Sequence, residues 1–188
     1  MASFEHPVSV LEAIEVAGGT IRSIHPKTVL EAHLCWELPP GWVQVQVPDA
    51  QNMLVASAPT ETVRGFAPNA TCLVWAVSKI ASPAEMLNRT ADRTELPGVV
   101  VVQSSAFSVN TRNAVAVRQF GTLAHSEDYG KIETFTRVEI GKVIDSLGTR
   151  MMIQRTSSCP VGPEMGHPAL RELHSTVFEN PVYDSDSD

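Results

Sequence analysis

Between Ala32 and Ser157 apolar residues tend to recur at every second position, and this two-residue period commits most of the chain to pleated sheet. In residues 32–38, His33, Cys35 and Glu37 alternate with Leu34, Trp36 and Leu38, which predicts a strand with Trp36 facing the core. Pro39 and Pro40 withdraw two backbone donors and Gly41 lets the chain turn, so pairing stops there. It resumes over 42–47, with Val43, Val45 and Val47 on one side. Residues 52–59 supply a third strand, and a polar loop runs on to Asn69. The nearly continuous apolar run at 70–80 has strand length and predicts a central strand covered on both faces.

Helical spacing occurs at three places. Val8, Leu11, Ile14 and Val16 fall near one face of a first helix, which Gly18 and Gly19 end. Residues 20–32 read as a connector because of Pro26, so the opening segment reads as an appendage. Ser82 before Pro83 offers an N-cap and a first-turn proline for a helix of about 11 residues carrying Met86 and Leu87. Four strand-like runs follow, at 99–109, 113–123, 131–144 and 149–158. Pro160, Gly162 and Pro163 end the sheet, and Leu170, Leu173, His174 and Val177 set out a closing helix. The acidic terminus, residues 183–188, reads as a disordered tail. This order predicts an α+β fold, a largely antiparallel sheet flanked by helices. The expected divisions are a helical extension at 1–31, the main domain at 32–179 and the acidic tail at 180–188.

With 14 basic and 21 acidic residues, the net charge of −7 opposes attraction to phosphate backbones, so nucleic acid is not an expected partner. No stretch approaches the roughly 20 apolar residues of a membrane-spanning helix. The expected location is the cytoplasm, or the cell envelope if a leader has been removed. Cys35, Cys72 and Cys159 lack a CxxC spacing and read as buried thiols, although one disulfide between two of them stays open.

The strand at 32–38, the LPPGW turn, the GFAPNATCLVWAV run, the helix opening SPAEML and the strands LPGVVVVQSSAF and AVAVRQFGT together resemble the PsbP-like fold. The similarity is nearest to its actinobacterial LpqN-type lipoproteins and proline-rich antigens, and it covers residues 32–179. It implies an antiparallel sheet flanked by helices and a non-catalytic accessory or binding role, often at the cell envelope. Pro40, Gly41, Trp42, Phe66, Pro68 and Asn69 carry over as fold markers. The signal sequence and lipidated cysteine of those lipoproteins have no counterpart in the opening residues.

Chemistry is sparse. His33 and Cys35 leave one face of a strand and could give zinc two ligands, with His25 or Cys72 completing a set only in space. His167 and His174 are two helical turns apart, about 10 Å, too far to share a metal. No nucleophile elbow or phosphate-binding glycine loop occurs, and Ser157, Ser158 and Cys159 sit at a polar strand end. A triad of His125, Asp128 and a distant serine would have to be assembled by the fold. The acidic turn at 125–130 lacks the alternation of a calcium loop. No catalytic, metal or cofactor site is therefore expected. Trp42, just after the Pro-Pro-Gly turn, and Phe66, in the polar loop, are the candidate contacts to a protein partner or a small apolar ligand. A hydrolase and a structural subunit of a larger assembly are the alternatives.

Overall fold

The computed structural model describes residues 9–25, 38, 40–47, 53–89, 99–108 and 114–161. In chain order these form α1 (Val10–Val16), β1 (Ile21–Ile24), β2 (Val43–Val45), β3 (Met53–Ser57), β4 (Asn69–Val77), α2 (Pro83–Arg89), β5 (Val99–Ser108), β6 (Ala114–Ser126), β7 (Gly130–Val143) and β8 (Arg150–Pro160). The eight strands make one sheet in the order β2-β3-β4-β8-β7-β6-β5, with β1 joined to β4. Every described pairing is antiparallel. The α+β class expected from the periodicity is the class observed.

Strand β4 organises the sheet. Along one edge β8 pairs with it from Asn69↔Ser158 to Val77↔Arg150. The other edge is shared: β3 takes Asn69 to Leu73 and β1 takes Val74 to Val77. Residues 21–24, expected to be connector, are thus a strand, and α1 with β1 builds onto the sheet instead of standing off as an appendage. Pro26 lies beyond the last residue of β1, so it does not interrupt the ladder.

Helix α1 is closed at both ends by local chemistry. Ser9 and Glu12 form a reciprocal capping box, with the Glu12 N–H donating to Ser9 Oγ at 3.2 Å and the Ser9 N–H to Glu12 Oε2 at 2.8 Å. At the other end the Gly18 N–H donates to Glu15 O and the Gly19 N–H to Ile14 O, a Schellman motif with Gly18 at φ 70°. Gly19 is needed for another reason: a Cβ there would lie 2.6 Å from the Ser78 carbonyl oxygen. That close approach seats α1 against the end of β4.

Residues directly opposite one another in antiparallel strands share a face, so the register sorts the core into two layers. On the first face Leu54, Ala56, Ala70, Cys72 and Val74 cluster with Trp42 and Ala58. On the second face Ile14 of α1 and Leu87 of α2 pack with Val77, Ala116, Val138 and Ile140. Both faces of β4 were expected to be covered, and no residue of the strand is exposed: Leu73 and Trp75 on the second face are half-buried, while Ala70, Cys72, Val74 and Ala76 on the first are enclosed. Arg118 of β6 holds α2 in place: its guanidinium donates to the Leu87 carbonyl in the last turn, where a helix leaves carbonyls unsatisfied. The same group stacks 5.9 Å from the centroid of the Phe120 ring.

Of the strand expected at 32–38, all but Leu38 lies outside the described residues, core-facing Trp36 included, as do the closing helix and acidic tail. Truncating a first-face side chain should be costly. Leu54→Ala removes a side chain only 2% exposed and is expected to lose about 2–5 kcal/mol. Val43→Ala, at a position 50% exposed, should stay within about 0.5 kcal/mol. Urea denaturation of the two variants measures the contrast.

Candidate functional site

Val43 pairs with Ser57 and Ser57 with Asn69, which pairs in turn with Ser158, so one end of the sheet is marked by a single row of residues. The connections gathered there are the Gly41 turn, the short 3-10 turn Pro59–Glu61 and a miniature hairpin at Val63–Phe66. In that hairpin Val63 and Phe66 exchange both backbone hydrogen bonds at 3.0 Å. Its two central residues have positive φ, 50° at Arg64 and 80° at Gly65, the geometry of a tight turn matched to strand twist. Arg64 tolerates this conformation because Gly65 follows it and the two cross bonds fix the loop.

The hairpin rests on the β6–β7 turn. The Phe66 ring lies against Tyr129 with centroids 5.9 Å apart and planes tilted by 59°. Arg64 crosses Gly130, whose φ of 77° and missing side chain leave room: a Cβ there would meet Arg64 Nη1 at 3.0 Å. The Tyr129 N–H is in turn tied to Ser126 Oγ at 3.3 Å. The result is a braced loop end that leaves Val43, Val63 and Tyr129 exposed and Phe66 partly so.

Of the two expected contact residues, Phe66 is here and half-exposed. The expectation that Trp42 meets solvent is corrected: it is 8% exposed and packs in the first-face cluster beside Leu54 and Ala56. After the Gly41 turn, at φ 85°, the chain enters β2 with its valines outward, so the bulky ring at 42 is left to fill the space beneath. Trp75 is half-buried and packs against the second-face cluster. Tyr129 and Arg64 were not picked out. A two-residue turn ending in glycine between Val63 and Phe66 was the available signal.

The candidate chemical groups are dispersed or locked. His125 is exposed opposite Lys131, and Asp128 is exposed in the following turn. Ser158 Oγ shares a 3.0 Å hydrogen bond with Thr134 Oγ1, while Ser157 is fully buried between Ala70 and Phe135. Among the described residues no three His, Cys, Asp or Glu side chains gather as metal ligands. His33 and Cys35, like His167 and His174, lie outside the described residues.

Cys72 and Cys159 are free and buried. Burial pushes the Cys72 thiol up to about 11, with Arg155 drawing it partly back and Glu139 raising it further. Burial likewise takes Cys159 to about 11, assisted by the Glu133 carboxylate. Glu139 bridges the two arginines that face each other across β7 and β8, at 2.6 Å from Arg137 Nη2 and 3.4 Å from Arg155 Nη1. The thiols are therefore protonated at neutral pH and poor nucleophiles.

No protein-family model and no curated protein matches the chain. Among solved structures it is similar to LpqN of Mycobacterium tuberculosis, described as involved in cell envelope biogenesis. The superposition has a TM-score of 0.67 and 13% identity, covering 93% of this chain and 96% of LpqN. At that identity the likeness is one of fold.

The thiols give a measurable prediction. A group whose folded pKa is raised from 9.0 to about 11 holds its proton more tightly in the folded state, so its stabilising contribution is complete below pH 9 and is lost as pH rises toward 11. Stability should accordingly fall between pH 9 and 11, and a thiol reagent at neutral pH should modify Cys72 and Cys159 only once denaturant is added. Mass spectrometry of the labelled peptides, with melting curves across that range, reads both effects.

Proposed function

We propose that the chain acts by binding a protein partner, without chemistry of its own, and that the contact surface is the loop end of the sheet. The observation that carries this reading is the Val63–Phe66 hairpin braced on Tyr129. It keeps apolar and aromatic groups at the surface with little conformational freedom left to lose on association. Phe66 and Tyr129 act as anchors, the exposed Val43 and Val63 border them, and Trp42 supports β2 from beneath. The fold likeness to LpqN favours an accessory role at the cell envelope. A hydrolase is disfavoured by protonated thiols and by a Ser158 hydroxyl already engaged with Thr134.

A photo-crosslinking phenylalanine analogue placed at Phe66 should trap a defined protein, while the same group at Arg22, exposed on β1, should not. Unlabelled wild type should compete for the product, and a Phe66→Ala, Tyr129→Ala double variant should compete about tenfold less well. Equal trapping from both positions, or turnover in a hydrolase screen that is abolished by replacing Ser157, Ser158 or His125, would reject the proposal.

A further inference from the structure

Ile21, Val77, Arg150 and Val143 pair in one row across β1, β4, β8 and β7, and this row marks the end of the sheet opposite the loop end. Past it project the β7–β8 turn, residues 144–149, the Ser78–Lys79 extension of β4 and the last turn of α1. Thr20, just after α1, is tied to that extension by the Ser78 N–H, which donates to Thr20 O at 3.1 Å. The three most exposed large hydrophobic side chains among the described residues are Leu147 at 82%, Val16 at 60% and Ile144 at 59%, and all three are at this end. Val143 beside the turn is open as well. Apolar surface gathered in this way marks a contact with something other than water.

Hydrogen bonds close the turn on itself. The Ile144 N–H donates to Thr149 O at 2.8 Å, the Gly148 N–H to Asp145 O at 3.3 Å, and the Leu147 and Thr149 N–H groups both donate to Asp145 Oδ1 at 2.9 Å. Gly148, at φ 75°, supplies the left-handed residue that this closure needs. Backbone donors are thus answered by the turn's own carbonyls and by a carboxylate bent back onto the chain, while Ile144 and Leu147 stay exposed. Polar backbone satisfied within the segment is the condition for entering a layer that offers no hydrogen bonds. The side chains point the same way. Protein contact surfaces rely on Trp, Tyr and Arg, with Leu and Val under-represented. The exposed large hydrophobics at this end are Leu, Ile and Val, whereas the exposed Tyr129 lies at the other end.

Charge at this end is balanced. Lys79 and Lys142 are exposed and Arg150 is partly so, while Glu15, Glu85 and Asp145 stand against them. On a chain of net charge −7, such an end is where lipid phosphates are approached with least repulsion, and apolar burial has to supply the attraction. We propose that this end of the sheet seats on a phospholipid bilayer, with Ile144 and Leu147 dipping into the acyl boundary and Lys79 and Lys142 at the level of the phosphates. The Asp145 carboxylate keeps to headgroup depth and limits how far the turn sinks. A few aliphatic side chains bury less than one myristoyl chain, so the association is weak and reversible. The sheet then stands end-on to the membrane with its loop end projecting away, which leaves the protein contact proposed above available. Neither reading requires the other.

Flotation of the full chain with vesicles of phosphatidylcholine, and of phosphatidylcholine mixed with phosphatidylglycerol, should carry protein into both lipid fractions, in proportion to lipid and with little loss as salt is raised. Combining Ile144→Ser with Leu147→Ser should lower the partition coefficient at least about tenfold, while Val43→Ser at the loop end leaves it unchanged. In a second readout, Leu147→Trp should add emission that lipids brominated on their acyl chains quench, and Val43→Trp should add emission that they do not. Circular dichroism establishes that each variant folds, and the tryptophan pair reports insertion should the serine variant not fold. Protein that stays in the aqueous fraction, partition indifferent to the serine pair, or equal quenching from both positions overturns the proposal. So does a photo-crosslinker at Leu147 that, with vesicles and cell extract both present, traps a protein in place of lipid.

Discussion

The pairing of β4 along both edges is the constraint on which the other elements depend. Its nine residues meet β8 without a break on one side, and on the other they meet two short strands placed end to end. Neither β1, with four residues, nor β3, with five, offers enough ladder to hold its own register. Each is positioned by β4, and each brings a layer with it. Strand β3 brings Leu54 and Ala56 to the first face, and β1 brings α1, whose Ile14 closes the second. The two cores are therefore joined through β4, which has no polar side chain on its enclosed face, and through β8 beside it.

Three arginines reach the interior where geometry answers part of their guanidinium. Arg118 lies under α2 because the last turn of that helix has a carbonyl to give. Arg137 and Arg155 stand opposite each other because Glu139 lies between them, two residues from Arg137 on the same face of β7. These arrangements rigidify the sheet and leave little to react. Among the described residues, the turns at the two ends of the sheet are stiffened by backbone hydrogen bonds.

Much of this was legible in the sequence where the signal was local. The strand-length apolar run at 70–80, the strand-like run at 131–144, the glycines that end α1 and the Ser82–Pro83 start of α2 each follow from one stretch of chain read alone. What could not be read depended on distant partners. Ile21–Ile24 is a strand because β4 has an unoccupied half-edge, which nothing in those four residues discloses. Trp42 is buried because the first face needs filling below β2, although its place beside a proline-rich turn suggested solvent. Of the residues that meet at the loop end, Phe66 was picked out by its setting in a polar loop. Tyr129 was missed because its importance comes from meeting Phe66 across 62 positions of sequence.

The burial of Cys72 and Cys159 has a wider consequence. Sulfur that is walled in and protonated exchanges slowly with glutathione and resists peroxide, since both reactions begin from an accessible thiolate. As far as these two residues decide the matter, the sheet would keep the same covalent structure in a reducing cytosol and in an oxidising exterior. Moving the protein across a membrane would leave this part of its architecture chemically unchanged.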